Sequence, residues 1–443
     1  KPRFTRYAVA KEASHPYHSK TLEPSESDYK KARKVTAFAA KRIGLTPGRY
    51  KAKTAQTALN EIISALRTEL ETAISKFSFD KSIVDLVGYV DAEIAKFRYK
   101  RLGVIGSKEH DVDYERDRML AEAKKEFLFK HRNNRYLLEK FISMKPVGTE
   151  KLREDDTRFL MAIADEIIGA YSTSDSIHYD LYQPYLVVAD DYQIGTTFPE
   201  EVLKQQEKFT RKQSQISLGQ IGLESDRLDS DDVIKFADTL DGAFIKDFGF
   251  KLSSLLALQQ VLALWSEYTK YEDSEAYSIL RDEVVETCTK NIKGITKEEV
   301  EKIISFLTLE ADKILTITDN DEPPLDVPVW EHIKRPYRYS IRPLIELNNK
   351  IVWGPYAVNM SLGFWSNVIH DTELPTKLDA PHTLNALKEE HVNLDKKLEQ
   401  KCIEIGKRHT KHARSVERKH VKFPQEYGDY DCLLYLAGIN TFV

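Results

Sequence analysis

The sequence predicts a mainly α protein: a multi-helix region followed by a small, incomplete α/β domain at the C-terminus. Three observations carry this. Apolar residues recur at spacings of three and four through most of the chain. An Asp- and Pro-rich stretch, Asp319 to Pro328, interrupts that periodicity. After a last helical run, the alternation changes to that of short strands separated by Gly-containing turns.

Residues 1–26 are polar and contain Pro, His and Ser, as an arm or linker remnant would. A helical region over 27–172 follows. Ser27 is placed to cap a helix running to Ile43, Gly44 to end it, and Thr46-Pro47-Gly48 to turn the chain. Ala55, Leu59, Ile62, Leu66, Leu70, Ala73 and Phe77 form one apolar stripe with charged residues opposite. Asp80 is read as the cap of a third helix with Ile83, Val87, Val90, Ile94 and Phe97 inward. Glu115 to Met144 continues the helical pattern until Pro146-Val147-Gly148 breaks it. Asp155 or Asp156 caps the next helix, through Phe159, Ile163, Ile167 and Ala170.

A second helical region spans 173–325, with a β-hairpin near 185–198 where Leu186-Val187-Val188 runs into Asp190-Asp191. Gln205 to Ser230, polar and low in large apolar residues, reads as a mobile loop or an exposed connector. Asp231 opens a helix, Gly249 ends a short element, and Leu252 to Tyr271 is the most apolar helix. Thr296 and Glu299 spell a capping box before Val300, Ile303, Ile304 and Leu307. Residues 326–376 form a strand-containing connector, with two strands around Asn348-Asn349. Residues 377–443 form the incomplete α/β domain: a long helix over Leu384 to His409, a strand over Arg418 to Phe423, then the segment Gly428 to Val443.

At 443 residues, 41% hydrophobic and 31% charged, the composition is that of a globular chain. No apolar run approaches the roughly 18 to 20 residues of a membrane span. Cys288, Cys402 and Cys432 are widely separated, which excludes a Cys-x-x-Cys zinc site and points to a reducing, cytoplasmic compartment. The chain starts at Lys1 and stops inside an apolar strand, so it reads as an internal piece of a longer protein or as a deliberately trimmed one. A formal net charge of −4 gives no global attraction to nucleic acid, so any basic footprint must be local.

The terminal segment Gly428-Asp429-Tyr430-Asp431-Cys432-Leu433-Leu434-Tyr435 places a carboxylate at the mouth of an apolar strand. Gly438-Ile439-Asn440 reads as a turn, and Thr441 to Val443 as the start of a partner strand. Two-metal phosphodiester hydrolysis needs acidic oxygens converging on Mg²⁺ with a lysine nearby. The segment resembles the restriction-endonuclease-like PD-(D/E)xK nuclease superfamily, in the branch written G-(D/E)-x-D-x-L-x-Y, over about the last 60 residues. The resemblance implies that Asp431 is a catalytic, metal-binding Asp and Glu399 the corresponding helix carboxylate, with Mg²⁺ as cofactor. It further implies a DNA endonuclease acting in restriction, phage defence or repair. The Glu-x-Lys of that family is absent up to Val443 and no Pro precedes the Asp, so the chain as it stands is expected to be inactive.

Lys407, Arg408, Lys411, Arg414, Arg418, Lys419 and Lys422 form the densest basic cluster, with Glu417 the sole acidic residue between Lys407 and Lys422. A phosphate backbone, most readily that of DNA, is the partner such a cluster suits, alongside further domains of a parent protein. The competing reading is a helical regulatory or interaction module whose C-terminal fold binds no metal. His178 with Asp180, and His110 with Asp111, are metal-ligand types without a third ligand at suitable spacing. The aromatics Tyr337, Trp353, Tyr356, Phe364 and Trp365 are of a type that stacks on bases, but their strand and turn spacing favours a core role, and no phosphate-binding Gly-rich loop occurs.

Overall fold

A computed structural model describes residues 21–106, 113–178, 184–204, 230–314, 337–366, 378–393, 415–422, 429–436 and 441–442. They are mainly helical, with small antiparallel sheets. Contacts divide the chain into two units: one of residues 1–237 and 252–366, the other of residues 238–251 and 367–443.

The first unit opens with the helices α1 (Glu26–Arg42), α2 (Ala52–Ile74), α3 (Phe79–Gly106), α4 (Asp113–Met144) and α5 (Glu154–His178). Ser25, two residues earlier than expected, caps α1, and Asp28 closes a complete capping box back onto Ser25. The predicted stripe of α2 is buried, with Leu59, Ile62, Leu66 and Leu70 almost wholly removed from water. Asp80 lies inside the first turn of α3 rather than capping it, because that helix starts at Phe79. Helix α5 likewise starts at Glu154, so Asp155 and Asp156 lie inside its first turn rather than capping it, and the Asp156 carboxylate reaches back to accept from the Arg153 amide at 3.3 Å.

The hairpin is present as β2 (Tyr185–Val188) and β3 (Ile194–Thr197), and it gains a third strand. Strand β1 (Gly48–Lys51), which begins on the last residue of the Thr46-Pro47-Gly48 turn, pairs with β2 in the register Gly48↔Val188 to Lys51↔Tyr185. A four-residue strand has too little periodicity to announce itself, and here the pairing partner supplies its conformation.

The apolar run from Leu252 is two helices, α7 (Leu252–Ala263) and the short α8 (Trp265–Tyr268), preceded by α6 (Ser230–Phe248). Strand β4 (Tyr277–Leu280) leads into α9 (Arg281–Asn291) and α10 (Lys297–Leu307). Thr296 caps α10 as its sequence indicates, accepting from the Glu299 amide at 3.1 Å. Strands β5 (Ile345–Leu347) and β6 (Lys350–Trp353) flank Asn348 and Asn349, whose φ values of 47° and 62° are those of a type I′ hairpin turn. Strand β4 joins them in the order β4-β6-β5.

Helix α11 (Pro355–Ser366) had no counterpart in the sequence reading, although Pro355 at its first position is a helix-start signal. It carries Trp365, which is fully buried like Trp353 before it, so these aromatics are core. The expected connector 205–229 and the Asp319 to Pro328 stretch lie outside the described residues. Among the described residues, no helix is long and apolar enough to cross a membrane.

Candidate functional site

In the second unit the terminal residues form a three-stranded antiparallel sheet of β7 (Ser415–Lys422), β8 (Asp429–Leu436) and β9 (Thr441–Phe442). The register runs from Ser415↔Leu436 to Lys422↔Asp429, then Tyr435↔Phe442 and Leu436↔Thr441.

Asp431 therefore stands on the middle strand. Of the basic cluster, Arg418, Lys419 and Lys422 lie on β7, paired with Leu433, Cys432 and Asp429 respectively. The backbone thus brings these three basic positions and Asp431 onto adjacent hydrogen-bonded strands. Glu399, Lys407, Arg408, Lys411 and Arg414 lie outside the described residues, as do His110, Asp111 and Asp180.

Upstream of the sheet, residues 381–393 are helical (α12). This helix begins on Pro381, with the Ala380 carbonyl accepting from the Leu384 amide at 3.0 Å. Alanine has no side-chain oxygen to offer the orphan amides of the first turn. Asp247, on α6, supplies one in its place. Its carboxylate accepts from the Thr383 amide at 2.7 Å, the Thr383 hydroxyl at 2.7 Å and the His382 amide at 3.2 Å, and meets His382 Nδ1 at 2.7 Å. Burial pushes this acid up, but the hydrogen bonds from Thr383 and His382 outweigh it and hold the carboxyl below its ordinary range. The start of α12 is thereby anchored by a residue more than a hundred positions earlier. On α6, Phe244 and Phe248 are one turn apart, and Gly249 at φ 78° turns the chain so that Phe250 meets both, at 6.3 and 5.9 Å between ring centroids.

The first unit repeats this device at Asp91, which is wholly buried on α3. Its two carboxylate oxygens accept from the Tyr356 and Ala357 amides at 3.2 and 2.7 Å, at the start of α11. Gly354 permits the approach, since a Cβ there would fall 2.3 Å from Asp91 Oδ1. Desolvation raises the Asp91 pKa well above the carboxylate range, even against those two amides. With both oxygens directed at backbone amides, the group serves α11 rather than a substrate.

A second polar seam joins α1 and α5. Tyr29 donates to Asp165 at 2.5 Å, and Arg33 reaches Glu166 at 3.0 Å and Asp191, in the β2–β3 turn, at 2.5 Å. Burial raises both Asp165 and Glu166 despite these donors. On α4, His131 is buried in a stack with Phe127, 5.2 Å between centroids, and Phe127 stacks on Phe97 at 4.1 Å. Among the described residues no group hydrogen-bonds either ring nitrogen of His131. Burial, with Arg135 and Arg338 nearby, lowers its pKa to about 3.

A cavity of about 160 Å³ is lined by Phe79, Lys145, Glu310, Asp312 and Glu346 among others, which is below the ~300 Å³ of small-molecule sites. Among the described residues, no three His, Cys, Asp or Glu side chains converge as a metal site. No family model, curated protein or solved structure matches the chain. The functional reading therefore rests on this chain's own residues. Asp91, Asp247 and Arg33 escaped the sequence reading because each partner is distant in the chain and no local pattern marks them.

Proposed function

We propose that the C-terminal unit is the core of a Mg²⁺-dependent nuclease of the restriction-endonuclease-like class, acting on DNA, with Asp431 as its metal-binding carboxylate. The observation that carries the proposal is the pairing of a basic strand, β7, with the strand that bears Asp429 and Asp431. Phosphodiester cleavage needs both: cationic groups to hold the phosphate backbone, and carboxylate oxygens to hold the metal.

Asp431 offers hard oxygen donors of the kind Mg²⁺ prefers, and Glu399 is the second carboxylate the proposal assigns. The ion would polarise the scissile phosphate and lower the pKa of an attacking water. Arg418, Lys419 and Lys422 would bind and orient the backbone, joined by Lys407, Arg408, Lys411 and Arg414. Strand β9 runs antiparallel along β8 from the Leu436 end, in the direction of Asp431. A Glu-x-Lys on that continuation would complete the site.

The test is a plasmid-nicking assay in Mg²⁺ with a protein carrying the continuation of β9, comparing wild type with Asp431→Ala. The expected outcome is nicking by wild type and none above background by the variant. Equal rates would remove Asp431 from the mechanism.

A further inference from the structure

Past its first turn, helix α1 is charged with one sign only. No acidic residue lies between Asp28 and Glu61, while Lys30, Lys31, Arg33, Lys34, Lys41 and Arg42 all fall on α1. At about 3.6 residues per turn the helix sorts these cations by face. Ala32, Thr36, Ala39 and Ala40 are buried on the inner side, and Arg33 is held against Glu166 and Asp191. The other five are exposed and share one sector of the helix with Phe38, which is 70% exposed. Arg42 is tied to Glu61 at 2.7 Å and Lys31 more loosely to Asp28 at 3.8 Å. Lys41 lies over the Tyr192 ring at 5.4 Å, and Lys30 and Lys34 have no acidic partner among the described residues.

A lone exposed phenylalanine is ordinary on a surface. Here, however, Lys30, Lys34, Phe38 and Lys41 follow one another a turn apart, so the ring stands between cations. From Lys30 to Lys41 the row spans about 16 Å, enough to meet several phosphates of one strand. A membrane surface would require a free apolar face, and that of α1 is already spent in the core. A duplex would supply phosphates but keep its bases stacked away from Phe38. Unpaired bases stack on an aromatic ring while the backbone tracks the positive charge. We propose that the exposed face of α1 binds single-stranded nucleic acid, with Lys30, Lys34 and Lys41 on the phosphates and Phe38 stacked on a base. The proposal does not draw on the nuclease reading, which concerns the other unit.

Fluorescence anisotropy of the untagged 443-residue chain with labelled oligothymidylate, and with a duplex of equal length, tests this. Replacing Lys30, Lys34 and Lys41 together by Gln should lower the slope of log K against log [salt] for the single strand by about 2. Phe38→Ala should weaken single-strand binding about tenfold and leave duplex binding unchanged, and Phe38→Trp should restore it. All four positions are exposed and Gln and Ala are good helix formers, so circular dichroism of the variants should match wild type. An unchanged salt slope in the triple variant overturns the proposal. So does Phe38→Ala binding the oligothymidylate like wild type, or losing single strand and duplex equally. If the variants lose binding to phosphatidylserine vesicles but keep the oligothymidylate, the face is a membrane contact and the proposal fails. None of these failures touches the nicking comparison at Asp431, so the two readings fall separately.

Discussion

His131 shows how one residue on a helix can set the acid sensitivity of a whole bundle. Its ring is buried in a stack with Phe127 and lacks hydrogen-bond partners among the described residues, so the folded chain holds it neutral down to about pH 3. The unfolded chain takes up a proton below about pH 6.5. A base whose folded pKa is depressed favours the unfolded state as the pH falls, so the loss of stability runs from about pH 6.5 down to about pH 3. At pH 5 the difference amounts to about 2 kcal/mol. His131→Phe keeps the stack and removes the titration. Urea denaturation at pH 7 and pH 5 should show wild type losing about 2 kcal/mol more than His131→Phe between the two conditions. Equal losses would mean that the imidazole is not held neutral.

At the scale of elements, two helices have their first turns satisfied by carboxylates from elsewhere: Asp91 serves α11 and Asp247 serves α12. Such a contact stabilises the helix start and fixes which element it meets, a role that a cap from within the helix cannot fill. Asp247→Ala leaves the amides of His382 and Thr383 without their acceptor, at a cost of about 1–3 kcal/mol. Hydrogen exchange at residues 382–385 should accelerate at least tenfold in this variant. Exchange rates equal to wild type would show that the helix start is held by other means. The acid's lowered pKa gives a matching pH dependence. Its contribution is present above the unfolded carboxyl pKa and fades as the pH falls through the lower folded value. The Arg33 bridge to Glu166 and Asp191 plays a comparable part for α1, tying it to both α5 and the β2–β3 turn.

For the whole molecule, charge decides how any nucleic acid would be held. The chain carries a formal net charge of −4, so long-range attraction to a polyanion is weak and binding must come from a local basic patch. Binding through β7 should therefore fall steeply with salt. Replacing Arg418, Lys419 and Lys422 together by Gln should lower the slope of log K against log [salt] by about 2 to 3 for duplex DNA. Fluorescence anisotropy with a labelled duplex between low and moderate salt measures it. An unchanged slope would place the phosphate contacts elsewhere.

What the sequence by itself determined is the local architecture with strong periodicity or punctuation. The stripe of α2, the hairpin at 185–197, the Thr296 cap and the Asn348-Asn349 turn are all where their residues indicate, because each depends on neighbours within a few positions. The C-terminal strands, expected over Arg418 to Phe423, after Gly428 and from Thr441, were legible for the same reason. Tertiary structure alone decided the rest. Strands β1 and β4 are too short to carry a period and exist because β2 and β6 pair with them. Asp91 and Asp247 are ordinary acids in the sequence. Their significance comes from contacts that join distant parts of the chain, and pairings of that range leave no local pattern to read.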